Sequence, residues 1–477
     1  MLWKLLRRLD PSLLINEGEG HGPPLWIFKG QVISMNKLKT MSESSFLKLF
    51  MGFVSACFIV GALFMPDRGE MISGLWTILS SPAKISTNYF DLGGYAATFL
   101  NMGLVGLVIL ALYMVFKTTC NNVSTFAFIL TVGFSSWGMN VINILPSMLG
   151  VVVYCLVKKE KMNVNAMVFS TGIAPLLSDL LVRYPNAEVV GFNLPGLIVT
   201  LIVGVFIGFL IPAGLGHAPQ VHKGFDLYSA AVPVCFIAFF LNATLYKTMG
   251  IDLPGVSSDL TVASQSIVNI FCAIVFGLCV VGALAMGCKP KDYAKLLTSK
   301  DHVANISGTM GREVFLMNVG IYGLFILAYY NAIGASFNGV TFGIIFCMLC
   351  TCNSGSNPAN VWPIMAGYVL FSTVFGWLSA LAGGTYAMTI NAQAIAIGLC
   401  FANGLSPVAS KYGWFWGIVA GGLHFLLVTS VPNMHGGYCL YNGGFTAALI
   451  CLILVPELEK FFRTKEERKA ARLEKAN

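Results

Sequence analysis

Two stretches of this chain carry the pattern Gly-x-Asn-x-x-Asn-x-x-Pro, from Gly138 to Pro146 and again from Gly355 to Pro363. A glycine that interrupts a helix in lipid exposes backbone groups, and each costs several kcal/mol unless something satisfies it. Asparagine caps the helix that resumes, and proline suits its first turn, where no donor is lost. Two resuming helices with N-termini near the bilayer midplane would turn positive dipole ends and free N–H groups toward a shared cavity. Gly138, Asn140, Asn143, Gly355, Asn357 and Asn360 are thus the candidate substrate-binding residues, in a polar site without formal charge. The same asparagines would serve equally as caps and interhelical hydrogen-bonding groups with no ligand at all.

A second pair, Phe-x-x-Gly-x-x-Pro-x-x-Ser, starts at Phe169 and at Phe401 and predicts kinked or discontinuous helices. Asp179 follows Ser178 in the first copy and Lys411 follows Ser410 in the second, so a carboxylate stands where the other copy has an ammonium. A third pair, His-x-Gly-x-x-Leu-Tyr, runs from His222 to Tyr228 and from His435 to Tyr441, with Asp226 in the place of Cys439. Asp179, Lys411, His222, His435, Tyr228, Tyr441 and Asp226 are candidates for coupling or gating, by proton relay or by contact with a polar solute. Interfacial anchoring is the competing reading.

Other chemistries find less support. Cys347-x-x-Cys350-x-Cys352 has a spacing that metal sites use, but no second ligand cluster accompanies it, and neither metal nor cofactor is expected. The chain has no HExxH, no GxSxG and no Asp-rich pair, so it is not expected to be an enzyme. Most of the 13 cysteines lie in apolar runs, where a thiol behaves as a small hydrophobe.

The elements that must hold these residues are membrane helices. The 477 residues are 56% hydrophobic and 10% charged, with mean hydropathy +0.76. That is more apolar surface than a soluble core could hide. Runs of about 18 or more apolar residues can each span a hydrocarbon core, and such runs occupy most of the chain between Phe46 and Glu457. The net charge of +8 sits in the termini and short loops, as cytoplasmic anchors rather than a nucleic-acid face. The expected fold is an all-α integral membrane protein of about fourteen (ten to fourteen) transmembrane segments, two per half being short or broken. Residues 1–45 form a cytoplasmic N-terminal segment in which Leu2, Trp3, Leu5, Leu6 and Leu9 alternate with Lys4, Arg7 and Arg8, the pattern of an interfacial helix or of a frayed basic tail. Residues 458–477 form a basic cytoplasmic tail.

Residues 46–250 and 266–457 are two copies of one design. At a constant offset Asn101, Gly103, Gly106, Ala111 and Tyr113 return as Asn318, Gly320, Gly323, Ala328 and Tyr330, and the three motif pairs continue the match. Ile59 to Met65 resembles Val280 to Met286. An odd number of segments per copy makes the second copy run in the opposite sense, the inverted repeat of secondary transporters.

The duplicated blocks, covering roughly Phe46 to Pro456, resemble the bacterial membrane family catalogued as domain of unknown function 1576. That resemblance implies neither a substrate nor a mechanism. The architecture is broadly similar to that of urea transporters, without a motif in common. The expected function is a transporter or channel for a small polar solute, neutral or anionic because intramembrane carboxylates are few, with membrane lipids and the solute as partners and a homo-oligomer left open. The expected location is the plasma or inner membrane with both termini cytoplasmic. An intramembrane enzyme on a lipid-linked substrate and a non-transporting membrane subunit are the alternatives.

Overall fold

A helix end inside lipid finds no water, so its free N–H groups need a partner from the chain itself. Asparagine fills that place repeatedly: the side chains of Asn88, Asn121, Asn163, Asn193, Asn338 and Asn357 each accept from a backbone N–H of the helix that follows. The structure, a computed structural model, describes residues 35–185, 191–248, 265–299 and 302–476, and the expected N-terminal surface helix lies outside them. Among the described residues all regular structure is helical.

The first half comprises α1 (Glu43–Leu63), α2 (Met71–Leu79), α3 (Tyr89–Val115), α4 (Asn122–Phe134), α5 (Leu145–Lys158), α6 (Val164–Arg183), α7 (Leu194–His222) and α8 (Ala231–Tyr246). The second half follows in the same order. It comprises α9 (Gln265–Ala285), α10 (Pro290–Leu297), α11 (Arg312–Ala332), α12 (Gly339–Asn353), α13 (Pro358–Leu381), α14 (Gln393–Tyr412), α15 (Trp414–Leu427) and α16 (Asn442–Phe461). A polar helix, α17 (Lys465–Ala476), ends the described chain. Eight of these, α1, α3, α6, α7, α9, α11, α13 and α14, are long and apolar enough to cross a membrane. The chain is an all-helical, multi-pass membrane protein.

Burial sorts the helices into layers. α7 and α9 expose apolar rows such as Ile198, Leu201 and Ile202, or Ile270, Ile274 and Leu278, as a lipid-facing surface requires. α4, α6, α12 and α14 are buried on nearly every side and form the centre. There α4 and α12 lie side by side and antiparallel: Asn353 bonds Thr125 near one end, Cys347 Sγ reaches the Leu130 carbonyl midway, and Gly343 abuts Ser136 near the other.

The outer pairs depend on glycine at matched positions. A Cβ on Gly208 would lie 1.9 Å from the Ser147 carbonyl oxygen across the α5–α7 contact, and one on Gly421 would lie 2.2 Å from the Ile364 carbonyl oxygen across α13–α15. Gly103 meets Ser55 and Ile59 between α1 and α3, as Gly320 meets Phe276 and Val280 between α9 and α11. Bare backbone lets these helices approach closely enough for dispersion to hold them where lipid supplies no hydrophobic drive.

Candidate functional site

Each central helix stops short. α4 ends at Phe134 and the chain turns through Ser135 to Ile144 before α5 begins; α12 ends in a 3₁₀ turn over Cys350–Asn353 before α13 begins. The carbonyls freed by these breaks are taken by a side chain from the preceding helix. Asn101 Nδ2 on α3 donates to the Ser135 and Met139 carbonyls at 2.7 and 2.9 Å. Asn318 Nδ2 on α11 donates to the Cys352 and Ser356 carbonyls at 2.8 and 2.9 Å.

The motif asparagines are engaged in their own turns. Asn140 Oδ1 accepts from the Ile142 and Asn143 N–H groups, and Asn143 Oδ1 accepts from the Asn140 N–H. Asn143 Nδ2 donates to the Gly138 carbonyl and to Ser178 Oγ. In the second copy Asn357 Oδ1 accepts from the Ala359 N–H and Asn360 Oδ1 from the Asn357 N–H. Asn360 Nδ2 donates to the Gly355 carbonyl and to Ser410 Oγ. Gly355 sits at φ 109°, a conformation L side chains avoid, and the His302 ring occupies the space a side chain would take. Gly138 has no such dihedral; Leu440 and Pro175 crowd it instead.

The two motifs do not meet around one cavity. Gly138 lies at the Gly339 end of the α4–α12 pair and Gly355 at the Thr125 end, about 20 Å apart at 1.5 Å per helical residue. The space between them is filled by rings: Phe134 stacks on Phe401 and Tyr441 at 5.8 and 5.5 Å, and Tyr228 meets Phe126 and Phe401 edge-on at 5.2 Å each. Motif spacing fixes that a turn recurs, not where its copies sit in space.

What the structure does bring together is the second motif of each half with the third motif of the other. The Gly172 carbonyl accepts from the Leu440 N–H at 2.9 Å, and the Gly404 carbonyl accepts from the Leu227 N–H at 3.1 Å. Gly172 and Gly404 each sit in a 3₁₀ break, and the backbone freed there is closed by an irregular segment from the opposite half. The histidines hold those segments in shape. His222 Nδ1 accepts from the Gly224 and Asp226 N–H groups, and His435 Nδ1 accepts from the Cys439 N–H. His222 Nε2 therefore carries the ring proton and donates it to Ser229 Oγ at 2.8 Å, which is the wrong polarity for a base activating that serine.

Asp179 and Lys411 occupy two polar clusters, one at each end. Asp179 Oδ1 pairs with Arg183 at 3.1 Å, while Oδ2 accepts from Tyr246 and Tyr438, each at 3.0 Å, and the Lys84 ammonium lies 5.6 Å from the Tyr438 ring centre. Burial lowers the Lys84 pKa, against the pull of Asp179. At the other end the Lys411 ammonium stands 5.0 Å from the Phe225 ring centre. Phe225 and Tyr438 hold the same position in the two third motifs. Lys411 also lines a cavity of about 250 Å³ with Lys223, His302 and Thr464, beside a smaller cleft of about 50 Å³ that reaches Asn357, Asn360 and Lys465.

Tyr228 Oη contacts the Asn403 side chain at 2.8 Å, and Asn403 in turn bonds Tyr322 and Thr351. Tyr441 Oη and Asp226 Oδ2 are buried without a hydrogen-bond partner. Cys350 Sγ contacts Tyr228 Oη, and among the described residues no group of three His, Cys, Asp or Glu side chains is arranged to hold a metal. The sequence reading overlooked Asn101, Asn318, Asn403, Lys84 and His302 as functional candidates. Asn101 and Asn318 carried a signal, since each recurs within the repeat; Asn403 faces Thr171 in the other copy, and Lys84 and His302 match nothing there.

No curated protein and no solved structure matches the chain. A family model does match, over residues 67–247 and 289–460, a segment within each half. The chain thus belongs to the family described as protein of unknown function DUF1576.

Proposed function

We propose that this protein is a transporter or channel for a small polar solute, built from fourteen membrane segments in two inverted halves, with both termini on the cytoplasmic side of the cell membrane. The eight long apolar helices, the five shorter ones and α16 make up that number. In this arrangement Lys117, Lys158, Lys159, Lys161, Lys223, Lys289 and Lys411 are among those that fall on the cytoplasmic side, and Arg68, Lys84, Arg183 and Lys247 fall on the other, so the excess is still in keeping with the positive-inside rule. The antiparallel course of α4 and α12, which hold equivalent places in the halves, supports inversion.

One observation carries the reading. Interrupted backbone from each half is completed by backbone of the other, through Gly172–Leu440 and Gly404–Leu227. Irregular backbone at membrane depth persists only where protein buries it or where it lines a path for solute, and transporters place such breaks at the junction of their halves. The Asp179–Tyr438 and Lys411–Phe225 contacts then act as gates on the two sides. Opening one side separates Tyr438 from Asp179; opening the other separates Phe225 from Lys411.

The test is flux in proteoliposomes of the purified chain, with a panel of labelled small neutral and anionic solutes. Protein-dependent uptake of at least one solute is expected, and Tyr438→Phe, which removes one hydrogen bond worth about 1 kcal/mol, should change its rate by about fivefold. Uptake no faster than in protein-free vesicles across the whole panel sinks the proposal.

A further inference from the structure

Among the described residues two carboxyl groups are buried, Asp179 and Asp226, and their surroundings differ. Asp179 has Arg183 beside one oxygen and the Tyr246 and Tyr438 hydroxyls on the other, so its charge is met. Asp226 is 2% exposed, and only Oδ1 is engaged, accepting from the Tyr228 N–H at 2.9 Å. Its Oδ2 is shut off from solvent without a hydrogen-bond partner, and among the described residues the group forms no ion pair. The groups around it are committed elsewhere. His222 has Nδ1 taken by the Gly224 and Asp226 N–H groups and Nε2 by Ser229. Lys223 is paired with Glu459, Lys411 of α14 stands over the Phe225 ring, and Cys451 of α16, also close, brings only a thiol. The Tyr228 hydroxyl turns away to the Cys347 and Cys400 carbonyls and to Asn403. A charged carboxylate closed off from water without a cation is far costlier than a neutral carboxyl, so Asp226 holds a proton in this conformation.

The same residue stands where that proton can be made to leave. A Cβ on Gly404 would lie 2.7 Å from Asp226 Oδ1, and the next residue, Leu227, donates to the Gly404 carbonyl across the junction of the halves. The residue before it, Phe225, is the ring beneath Lys411 and lines the cavity of about 250 Å³ at that end. Movement of Phe225 away from Lys411 therefore opens position 226 toward water and frees an ammonium group at once.

We propose that Asp226 is a proton-binding site that governs the cytoplasmic gate. With the gate shut the carboxyl is neutral. As Phe225 leaves Lys411 the carboxyl O–H bond breaks, the proton passes to water in the cavity, and the carboxylate left behind is stabilised by that water and by Lys411. A rise in cytoplasmic pH thus favours the open gate, because only the open state gives up the proton. The second half has Cys439 at this position, its thiol 3.1 Å from that of Cys235, so the device serves one side alone. The gate belongs to the transport reading, on which this inference rests; the bound proton is measurable without it.

The experiment has two arms. Infrared spectra of the purified full chain in detergent at neutral pH, where exposed carboxyls are ionised, should show the carbonyl stretch of a neutral carboxyl that shifts in heavy water, and Asp226→Asn should lack it. In proteoliposomes, uptake of the labelled solutes should quicken as pH rises on the cytoplasmic face, by up to about tenfold per pH unit, the limit for one proton. That dependence should vanish in Asp226→Asn. The proposal is overturned if the wild type shows no such band, if the band persists in Asp226→Asn, or if the two proteins share one pH profile. Should Asp226→Asn fail to fold, as judged by size-exclusion chromatography, Asp226→Cys takes its place, since the repeat itself carries cysteine there. A neutral carboxyl without flux of any solute rejects the transport reading and keeps the proton site; flux without the band does the reverse.

Discussion

At the scale of single residues, carboxamides do most of the polar work inside this protein. Asn101 and Asn318 each tie two carbonyls across a helix break, and neither residue is exposed. Removing one side chain leaves two buried acceptors without a partner, at about 1–3 kcal/mol each. Asn318→Ala should therefore cost about 2–6 kcal/mol, measured as denaturant-induced unfolding in detergent, and the same is expected of Asn101→Ala. A cost near zero would mean the breaks find other donors. His302 gives a pH prediction. Its folded pKa of about 4 lies below the ordinary 6.5, so the unfolded chain binds the extra proton first. The stabilisation is complete above pH 6.5 and is lost as pH falls through 4. Melting temperature should decline between pH 6.5 and 4 more steeply in the wild type than in His302→Gln; parallel curves would assign the titration to another group. The repeated asparagines were legible in the sequence because duplication marks them, while His302, unmatched in the first half, was recognisable only from its contacts with Ser354 and Gly355.

At the scale of elements, glycine sets the distances between helices and asparagine sets where helices begin. Gly208 and Gly421 sit where a methyl group would strike a facing carbonyl oxygen. Gly208→Ala must push α5 and α7 apart, and overpacking of this kind costs about 1–3 kcal/mol or more. A melting temperature unchanged by Gly208→Ala would show that the pair can slide without penalty. Gly277, with nothing near its missing side chain, is the matched control and should tolerate alanine. The long apolar helices were plain from composition, since each alone satisfies the length a bilayer demands. The short α2 and α10 were not, because nine and eight residues vanish in a window of membrane-spanning length. Yet α2 packs so closely on α3 that a Cβ on Gly74 would fall 2.0 Å from the Gly93 carbonyl oxygen, and its Ile78 carbonyl accepts from Asn140. The expected common cavity between the asparagine motifs is replaced by aromatic packing for a related reason. A linear pattern states what recurs along the chain, and only the antiparallel pairing of α4 with α12 determines that the two turns end up apart.

At the scale of the whole molecule, each half is incomplete without the other. The Gly172 and Gly404 carbonyls each accept a backbone hydrogen bond from across the junction, and Tyr438 reaches Asp179 across it as well. A chain divided between Tyr246 and Gln265 and expressed as two polypeptides should therefore co-purify as a complex, and neither part should be stable alone. Recovery of a monodisperse single half would contradict this. The same reciprocity bears on how such a protein could come to exist. Under the inversion proposed above, a lone half would satisfy its broken helix against a second copy of itself lying the other way round, and in a pair of identical subunits every contact is made twice. Whatever residue stood at the position of Asp179 would stand at both ends, facing the same partner ring. Joining two copies in one polypeptide lifts that identity. The carboxylate with its phenol at one end and the ammonium with its phenyl ring at the other are differences that only a single joined polypeptide can keep, and under the proposed inversion they give the two ends of the molecule distinct chemistry.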